Sequence, residues 1–364
     1  MTDTAFHIFV INPGGTSTKI ALYVGSEPLF TQDVRHPAEE LAACPNVYGQ
    51  LGLRQKLIDE ALVEHGVDVK SLHAVVGRGG AVAPVPSGAF VVDDVMLSRI
   101  REGKLLVEHP SMLGAPLARA LADRAGCPAY IVDPVCVDEY LPQSRLSGLP
   151  EVPRRSLTHA LNVRAAAYEI ASRMGKDLQS LDLVVAHLGS GFTIACLQRG
   201  RQIDSNDATA SGPMAPTRAG TLPALDFARL CLSGKYTMAQ LEKKLVAQSG
   251  WIAHLGTDDI REIYRRIDEG DTQARLVLDA TLLQVSKEIA ACFASMRGKV
   301  DAIVLTGGVC RSERFVAELK EQNAWLKTPF HELPGENEML ALARGGVRVL
   351  EGQMEARSMA PYLS

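Results

Sequence analysis

Apolar positions along this chain cluster in short, strand-length runs separated by amphipathic stretches, and the order of these runs repeats. Residues 7–12, 19–24 and 28–34 predict a three-stranded meander. Apolar residues at helical spacing predict a helix over 51–65. Short strands are expected at 74–77 and 90–92, a helix at 111–124 and a buried strand at 129–132. A stretch rich in Pro, Ser and Arg at 141–155 interrupts the pattern and marks the expected domain boundary. A helix then follows at 161–174, with a second meander at 183–186, 192–197 and 201–203. Residues 204–220 are polar and show little periodicity. Helices are predicted at 224–232, 238–246, 258–267 and 273–296. A buried strand at 302–305 enters Thr306-Gly307-Gly308, a helix follows over 311–319, and the last helix covers 338–350.

Two segments carry the repeat. Phe9-Val10-Ile11-Asn12-Pro13-Gly14-Gly15-Thr16-Ser17-Thr18-Lys19-Ile20-Ala21 opens the chain. Leu183-Val184-Val185-Ala186-His187-Leu188-Gly189-Ser190-Gly191-Phe192-Thr193-Ile194-Ala195 stands in the middle. Aligned without a gap, Gly15 falls on Gly189, Ile20 on Ile194 and Ala21 on Ala195. Each copy is an apolar run, a tight turn of glycine and hydroxyl residues, and a second apolar run. That pattern is a β-hairpin whose turn offers backbone N–H groups to an anion. One hairpin in each half points to a phosphate chain clamped between two related domains.

The expected fold is therefore α/β, with two related domains, each a mixed β-sheet flanked by helices. Residues 1–150 with 345–364 form the first domain and 151–344 the second. A length of 364 residues supports two cores. A net charge of −4, without a dense basic block, argues against a nucleic-acid surface. No apolar run is long enough to span a membrane, and the first residues lack a signal-peptide pattern. Seven scattered cysteines, with no CxxC pair, read as reduced thiols of a cytoplasmic protein.

Candidate chemistry gathers at the turns. In the first, Gly14 and Gly15 admit φ > 0 and the approach of a phosphate. Thr16, Ser17 and Thr18 add hydroxyl donors, and Lys19 adds a point charge. An ordinary hairpin turn has the same composition, and the second copy is what favours phosphate. Gly307-Gly308-Val309, between a buried strand and a helix, suits a base or ribose lying against the backbone; a plain strand-to-helix turn is the alternative.

The order of hairpin, hairpin and glycine pair resembles the sugar kinase, heat-shock chaperone and actin superfamily. That implies an actin-like ATPase, ribonuclease H-like duplicated fold with the nucleotide in the cleft between the domains. The segment from Ile11 to Lys19 resembles the opening motif of the acetate and butyrate kinase family. Val76-Gly77-Arg78-Gly79-Gly80, Val132-Asp133-Pro134-Val135, Ser156-Leu157-Thr158-His159-Ala160-Leu161-Asn162 and Pro334-Gly335-Glu336-Asn337-Glu338-Met339 are nearer to its butyrate kinases. So are Ser233-Gly234-Lys235-Tyr236-Thr237 and Gly256-Thr257-Asp258-Asp259.

The resemblance implies roles for individual residues. Asn12 would touch the transferring phosphoryl group. Asp133 and Glu338 would anchor Mg²⁺, partly through water. Arg78 and Arg218 would flank the acyl carboxylate and the phosphoryl group, His159 would hydrogen-bond phosphoryl oxygens, and His187, Gly189, Ser190 and Gly191 would meet the phosphates. Bland readings stand beside these: loop-bracing for either arginine, a turn residue for Asp133, a cap-region histidine for His159. His109 aligns ambiguously. Met112 stands where butyrate kinases usually have Asn, and Ser190 where they have a third glycine. The loop from Asp204 to Pro213 replaces their usual Asn-Ala-Leu-x-Gly pattern.

The implied reaction is reversible transfer between ATP and a short-chain carboxylate, ATP + butanoate giving ADP + butanoyl phosphate. A carboxylic acid is already ionised at pH 7, so no general base is required; two anions must instead be held together by Mg²⁺, arginines and backbone donors. The expected working state is a cytoplasmic homodimer or higher even oligomer whose domains close on the nucleotide, with no nucleic-acid or membrane partner. An acetate or propionate kinase, a sugar kinase using Asp133 as base, a chaperone-type ATPase and a non-catalytic paralogue remain alternatives at this point.

Overall fold

The computed structural model describes residues 5–363. The chain divides into two compact units: one holds the chain up to Asp138 together with the stretch from Asn337 onward, the other is Glu139–Glu336.

Unit 1 contains β1 (His7–Pro13), β2 (Ser17–Val24), β3 (Glu27–Arg35), α1 (Ala38–Ala43), α2 (Leu51–Glu64), β4 (Ala74–Arg78), β5 (Ala89–Val91), α3 (Asp94–Arg101), α4 (Gly114–Ala125) and β6 (Ala129–Val132). Unit 2 contains α5 (Ala160–Arg173), β7 (Asp182–Leu188), β8 (Phe192–Gln198), β9 (Arg201–Ser205), α6 (Ala224–Leu232), α7 (Met238–Ala247), α8 (Trp251–Leu255), α9 (Ile260–Asp268), α10 (Thr272–Ser295), β10 (Ala302–Gly307), α11 (Glu313–Gln322) and β11 (Phe330–Pro334). The chain then returns to unit 1 as α12 (Glu338–Leu350) and β12 (Ala356–Arg357).

The sheets are copies of one plan. In unit 1 the order is β12-β5-β6-β4-β1-β2-β3, and in unit 2 it is β11-β10-β7-β8-β9. Each has an antiparallel meander, β1-β2-β3 or β7-β8-β9, with two parallel strands beyond its first member, β4 and β6 or β10 and β11. The duplication read from the hairpins thus extends to five strands in each half. Both faces of the unit 2 sheet are covered, which is why its strands read as unbroken apolar runs. Leu183, Val185, Ala195 and Val304 pack on α5, whereas Val184, Ala186, Ile194 and Leu305 pack toward Trp251 and α10.

Three details differ from the sequence reading. The stretch 141–155 is not a linker. Leu141 N–H bonds to Ile203 O at 3.0 Å, and Arg154 donates to Ser144 O, Asp204 and Ser205 O, so its polar groups anchor on β9 and the division falls after Asp138. The return to unit 1 comes at Asn337, because α12 lies on the first sheet from its first turn. The helix after Gly307-Gly308 is delayed: a 3-10 turn, Gly308–Arg311, intervenes, and α11 starts only after Ser312 caps Phe315 N–H.

A glycine pair seats α12. A Cβ on Gly345 would stand 2.7 Å from Val132 Cγ1, and one on Gly346 2.8 Å from Val76 Cγ2. The helix therefore rides directly on β6 and β4, which fixes the height of Glu338 above the strand ends. Among the described residues no helix is long and apolar enough to cross a membrane.

Candidate functional site

In unit 1 the predicted residues collect where the parallel strands end. Arg78 closes β4 between glycines, and those glycines are required by packing. A Cβ on Gly77 would lie 2.2 Å from Gly114 O, on Gly79 2.5 Å from Pro134 Cβ, and on Gly80 2.6 Å from Met112 Cα. Met112 is itself buried, as backing for this segment. Glu338, at the start of α12, meets two of the predicted residues: Asn12 Nδ2 donates to Oε2 at 2.7 Å, and Arg78 Nη1 stands 2.6 Å from Oε1. The latter is an ion-pair contact outside linear hydrogen-bond geometry, so Arg78 Nη1 and Nε keep donor capacity. One carboxylate thus joins an amide and a largely buried guanidinium.

Asp133 follows β6 and is buried, with φ 41°. That left-handed backbone is unusual for a residue other than glycine. Its Oδ1 accepts from Gly88 N–H at 2.7 Å, and its own N–H donates to Gly88 O at 2.9 Å. His109, which is exposed, caps the 3-10 turn Pro110–Leu113 by accepting from Ser111 N–H.

The first hairpin closes over Gly14–Ser17, between the paired residues Pro13 and Thr18. Gly14 and Gly15 do not adopt positive φ. A Cβ on Gly15 would have nothing within 4 Å, and one on Gly14 would lie 3.3 Å from Ser17 O. Asn12 pairs with Lys19, which sets both side chains on one face of the sheet.

The sequence reading missed what supports this turn. Arg54 lies on the buried stripe of α2 with Ile58, Ala61 and Leu62, and is fully buried. Its guanidinium donates to Gly14 O at 2.8 Å, Ser17 O at 3.2 Å, Thr18 Oγ1 at 2.9 Å and Gln50 Oε1 at 2.8 Å. Burial pulls its pKa below the ordinary arginine value. Thr18 Oγ1 also meets His36 Nε2 at 2.8 Å, and burial together with the Arg54 charge lowers His36 to about 4. A lone arginine at i and i+4 spacing with Ile58 was the available signal.

In unit 2 the second hairpin closes over Gly189–Gly191, between Leu188 and Phe192, one residue shorter than the first. Its turn carries Arg218. A Cβ on Gly191 would lie 2.4 Å from Arg218 Cζ, so the guanidinium rests on that glycine. Arg218 Nη1 donates to Ala208 O at 2.6 Å, and burial lowers its pKa. Thr217 N–H and Oγ1 both bond to Ser190 O. The polar loop after β9 is pinned: Asn206 Oδ1 accepts from Ile194 N–H at 2.7 Å, and its Nδ2 donates to Phe192 O and Ser211 O.

His187 is buried on β7, 3.4 Å from Glu336 Oε1, with its ring 4.6 Å from that of His159. His159 Nδ1 meets Thr193 Oγ1 at 2.8 Å. Glu336 is a second residue the sequence reading missed, although it stands in the quoted motif with Glu338. Gly307 has φ 99°, and a Cβ there would strike Leu188 O at 2.4 Å, whereas Gly308 is exposed and Val309 buried. The strand-end glycine pair therefore leaves one open peptide above β10. Unit 1 thus groups Asn12, Arg78 and Glu338, and unit 2 groups His159 with His187 and Arg218 with the hairpin turn.

The seven cysteines are unpaired, and burial pushes Cys136 up to about 11 and Cys310 to about 12. Among the described residues no three His, Cys, Asp or Glu side chains form a metal cage.

A protein-family model described as the acetokinase family matches residues 153–327. A probable butyrate kinase of Listeria monocytogenes (serotype 4a) is 44% identical over 349 residues, 96% of this chain and 98% of its own length. Probable butyrate kinase 2 of Caldanaerobacter subterraneus subsp. tengcongensis is 43% identical over 348 residues, with the same coverage. Among solved structures, an acetate kinase from Porphyromonas gingivalis superposes with a TM-score of 0.79 at 17% identity, over 95% of this chain and 100% of that one. A propionate kinase from Francisella tularensis gives 0.75 at 18% identity, over 93% and 98%. These superpositions establish the duplicated actin-like fold. With 44% identity along 96% of its length to a named relative, the chain belongs to the acetokinase family, the acetate and butyrate kinases.

Proposed function

We propose that the protein is a butyrate kinase, transferring the γ-phosphoryl group of ATP reversibly to butanoate or a branched relative. The observation that carries this reading is the Glu338 carboxylate shared between Asn12 and Arg78. It is engaged on both oxygens and poorly placed to take a proton. Asp133, the base that a sugar kinase would use, is buried and tied to Gly88. The charged groups suit a reaction between two anions better than the deprotonation of a hydroxyl.

In the proposed mechanism a carboxylate oxygen of butanoate, ionised at pH 7, attacks the γ-phosphorus in line. The bond to the ADP oxygen breaks, and no proton moves. Arg78 holds the acyl carboxylate, with Asn12 and the first hairpin turn toward the phosphoryl oxygens. Arg218, His159 and the second hairpin offset charge on the nucleotide phosphates, and Gly308 offers its peptide to the nucleoside. Catalysis is by position and electrostatics. Glu338 and Asp133 suit Mg²⁺: they are hard oxygen donors, and an engaged carboxylate oxygen keeps a lone pair for a metal-bound water. The ion would neutralise the phosphate charge.

The test is hydroxamate-trapped acyl phosphate from Mg-ATP with acetate, propionate, butanoate, isobutyrate and isovalerate, with Arg78→Ala and Arg218→Ala as controls. Product with four- and five-carbon acids, lost in both variants, is expected. Strong acetate preference would move the protein to acetate kinase, and no product with any acid would overturn the reading. A cytoplasmic homodimer is part of the same proposal, tested by light scattering on the purified chain.

A further inference from the structure

Arg54 is a fully buried guanidinium with no carboxylate within 4 Å among the described residues; the acceptors it meets are neutral oxygens. Two of them are the carbonyls of Gly14 and Gly15, the second at 3.5 Å. In a planar trans peptide the C=O and N–H point in opposite directions. A Gly14 carbonyl turned inward to Arg54 therefore turns the Gly15 N–H outward, and the Gly15 carbonyl does the same for the Thr16 N–H. Neither N–H has a hydrogen-bond partner among the described residues. The rest of the turn is held from the same side: Ser17 O takes both Gly14 N–H and Arg54, and Thr18 Oγ1 takes Arg54 and meets His36. A Cβ at Gly15 would meet nothing within 4 Å, so the turn borders open space.

We propose that Arg54 is a positioning residue: by fixing the Gly14 and Gly15 carbonyls from behind, it aims the Gly15 and Thr16 N–H groups at the transferring phosphoryl group. Its unpaired charge lies behind the same peptides and adds to their pull on an anion. The identity of the transferring group rests on the acyl-kinase reading; the aim of the donors does not.

The experiment uses the deuterated, ¹⁵N-labelled full chain with inorganic phosphate as the probe, alongside the acyl phosphate assay. In the unaltered protein phosphate moves the amide resonances of Gly15 and Thr16. In Arg54→Met those shifts vanish while amides remote from the turn keep their positions. Turnover falls about 30-fold, below the loss for removing a direct oxyanion donor, and KM for butanoate stays within about twofold. Arg54→Lys, whose single ammonium cannot span Gly14 O, Thr18 Oγ1 and Gln50, gives an intermediate shift and rate. It decides the matter if the Met variant does not fold. Undiminished phosphate shifts in the folded variants, or none in the unaltered chain, would overturn the proposal. Arg54-dependent shifts in a chain that makes no acyl phosphate would uphold it and sink the acyl-kinase reading instead.

Discussion

Gly345→Ala in α12 sets two physical effects against each other, and the structure decides the sign. In an exposed helix, alanine for glycine gains about 1 kcal/mol. Here the new methyl would stand 2.7 and 2.8 Å from the two γ carbons of Val132. Val132 is fully buried and β-branched, with little rotamer freedom to give way. Restoring a carbon–carbon separation of about 3.5 Å requires the helix to lift by about 0.8 Å. Overpacking of this kind costs about 1–3 kcal/mol, so after the glycine-to-alanine gain the net change is a loss of up to about 2 kcal/mol in unit 1. Tryptophan fluorescence would miss it, because Trp251 and Trp325 both lie in unit 2. Hydrogen exchange of the β1, β4 and β6 amides reads it directly, with about tenfold faster exchange per 1.4 kcal/mol. Acyl phosphate formation should fall with it, since Glu338 rides on the same helix. Gly52→Ala on α2, with nothing within 4 Å of its Cβ, is the control and should gain about 0.5–1 kcal/mol. Slower exchange in Gly345→Ala would refute the packing argument.

Three further outcomes are expected. Glu338→Gln leaves the Arg78 guanidinium buried without its carboxylate and should cost about 3 kcal/mol by urea unfolding; Arg78→Met should cost less, because the more exposed Glu338 can take up water. Gly191→Ala pushes the Arg218 guanidinium from its seat, so it and Arg218→Ala should each lower turnover about 100-fold, and the double variant should be no worse than either. His36 has a folded-state pKa of about 4 against an ordinary 6.5, so the unfolded chain binds more protons between those values. Stability should therefore drop as pH falls from about 6.5 toward 4 and level off below; the His36→Gln variant should lose that part of the slope in thermal unfolding followed by circular dichroism.

The meanders, the duplication and the strand-end glycines were legible because each leaves a local mark: apolar runs of strand length and turns that only small residues fill. β11 was not, since Phe330–Pro334 is short, partly exposed, interrupted by His331 and Glu332 and ends in proline, and such a strand forms because β10 offers it a parallel edge. α3 is signalled only by Asp93 capping Met96 and by Met96 and Ile100 one turn apart, too short a pattern to stand out. Arg54 and Glu336 escaped for a different reason. Their partners are main-chain carbonyls at Gly14 and Ser17, and a histidine on another strand, contacts that exist only once the sheets have formed. The positive φ expected at Gly14 and Gly15 is not adopted, while Gly15 does border open space, as the approach of a phosphate would need.

Because α12 and β12 come after unit 2 in the chain, unit 1 cannot be completed during synthesis before unit 2 has been made. Unit 2 is contiguous, and all of it has been made before Asn337 is added. Unit 1, although its sheet strands β1 to β6 are made first, lacks the helix that packs on β1, β4 and β6 until the chain has passed unit 2. Domains generally fold from the N-terminus onward during synthesis; here the later unit is free to close first. The carboxylate that joins Asn12 to Arg78 is then among the last parts delivered, so a nascent chain has no assembled charge cluster in unit 1 until Glu338 has been made.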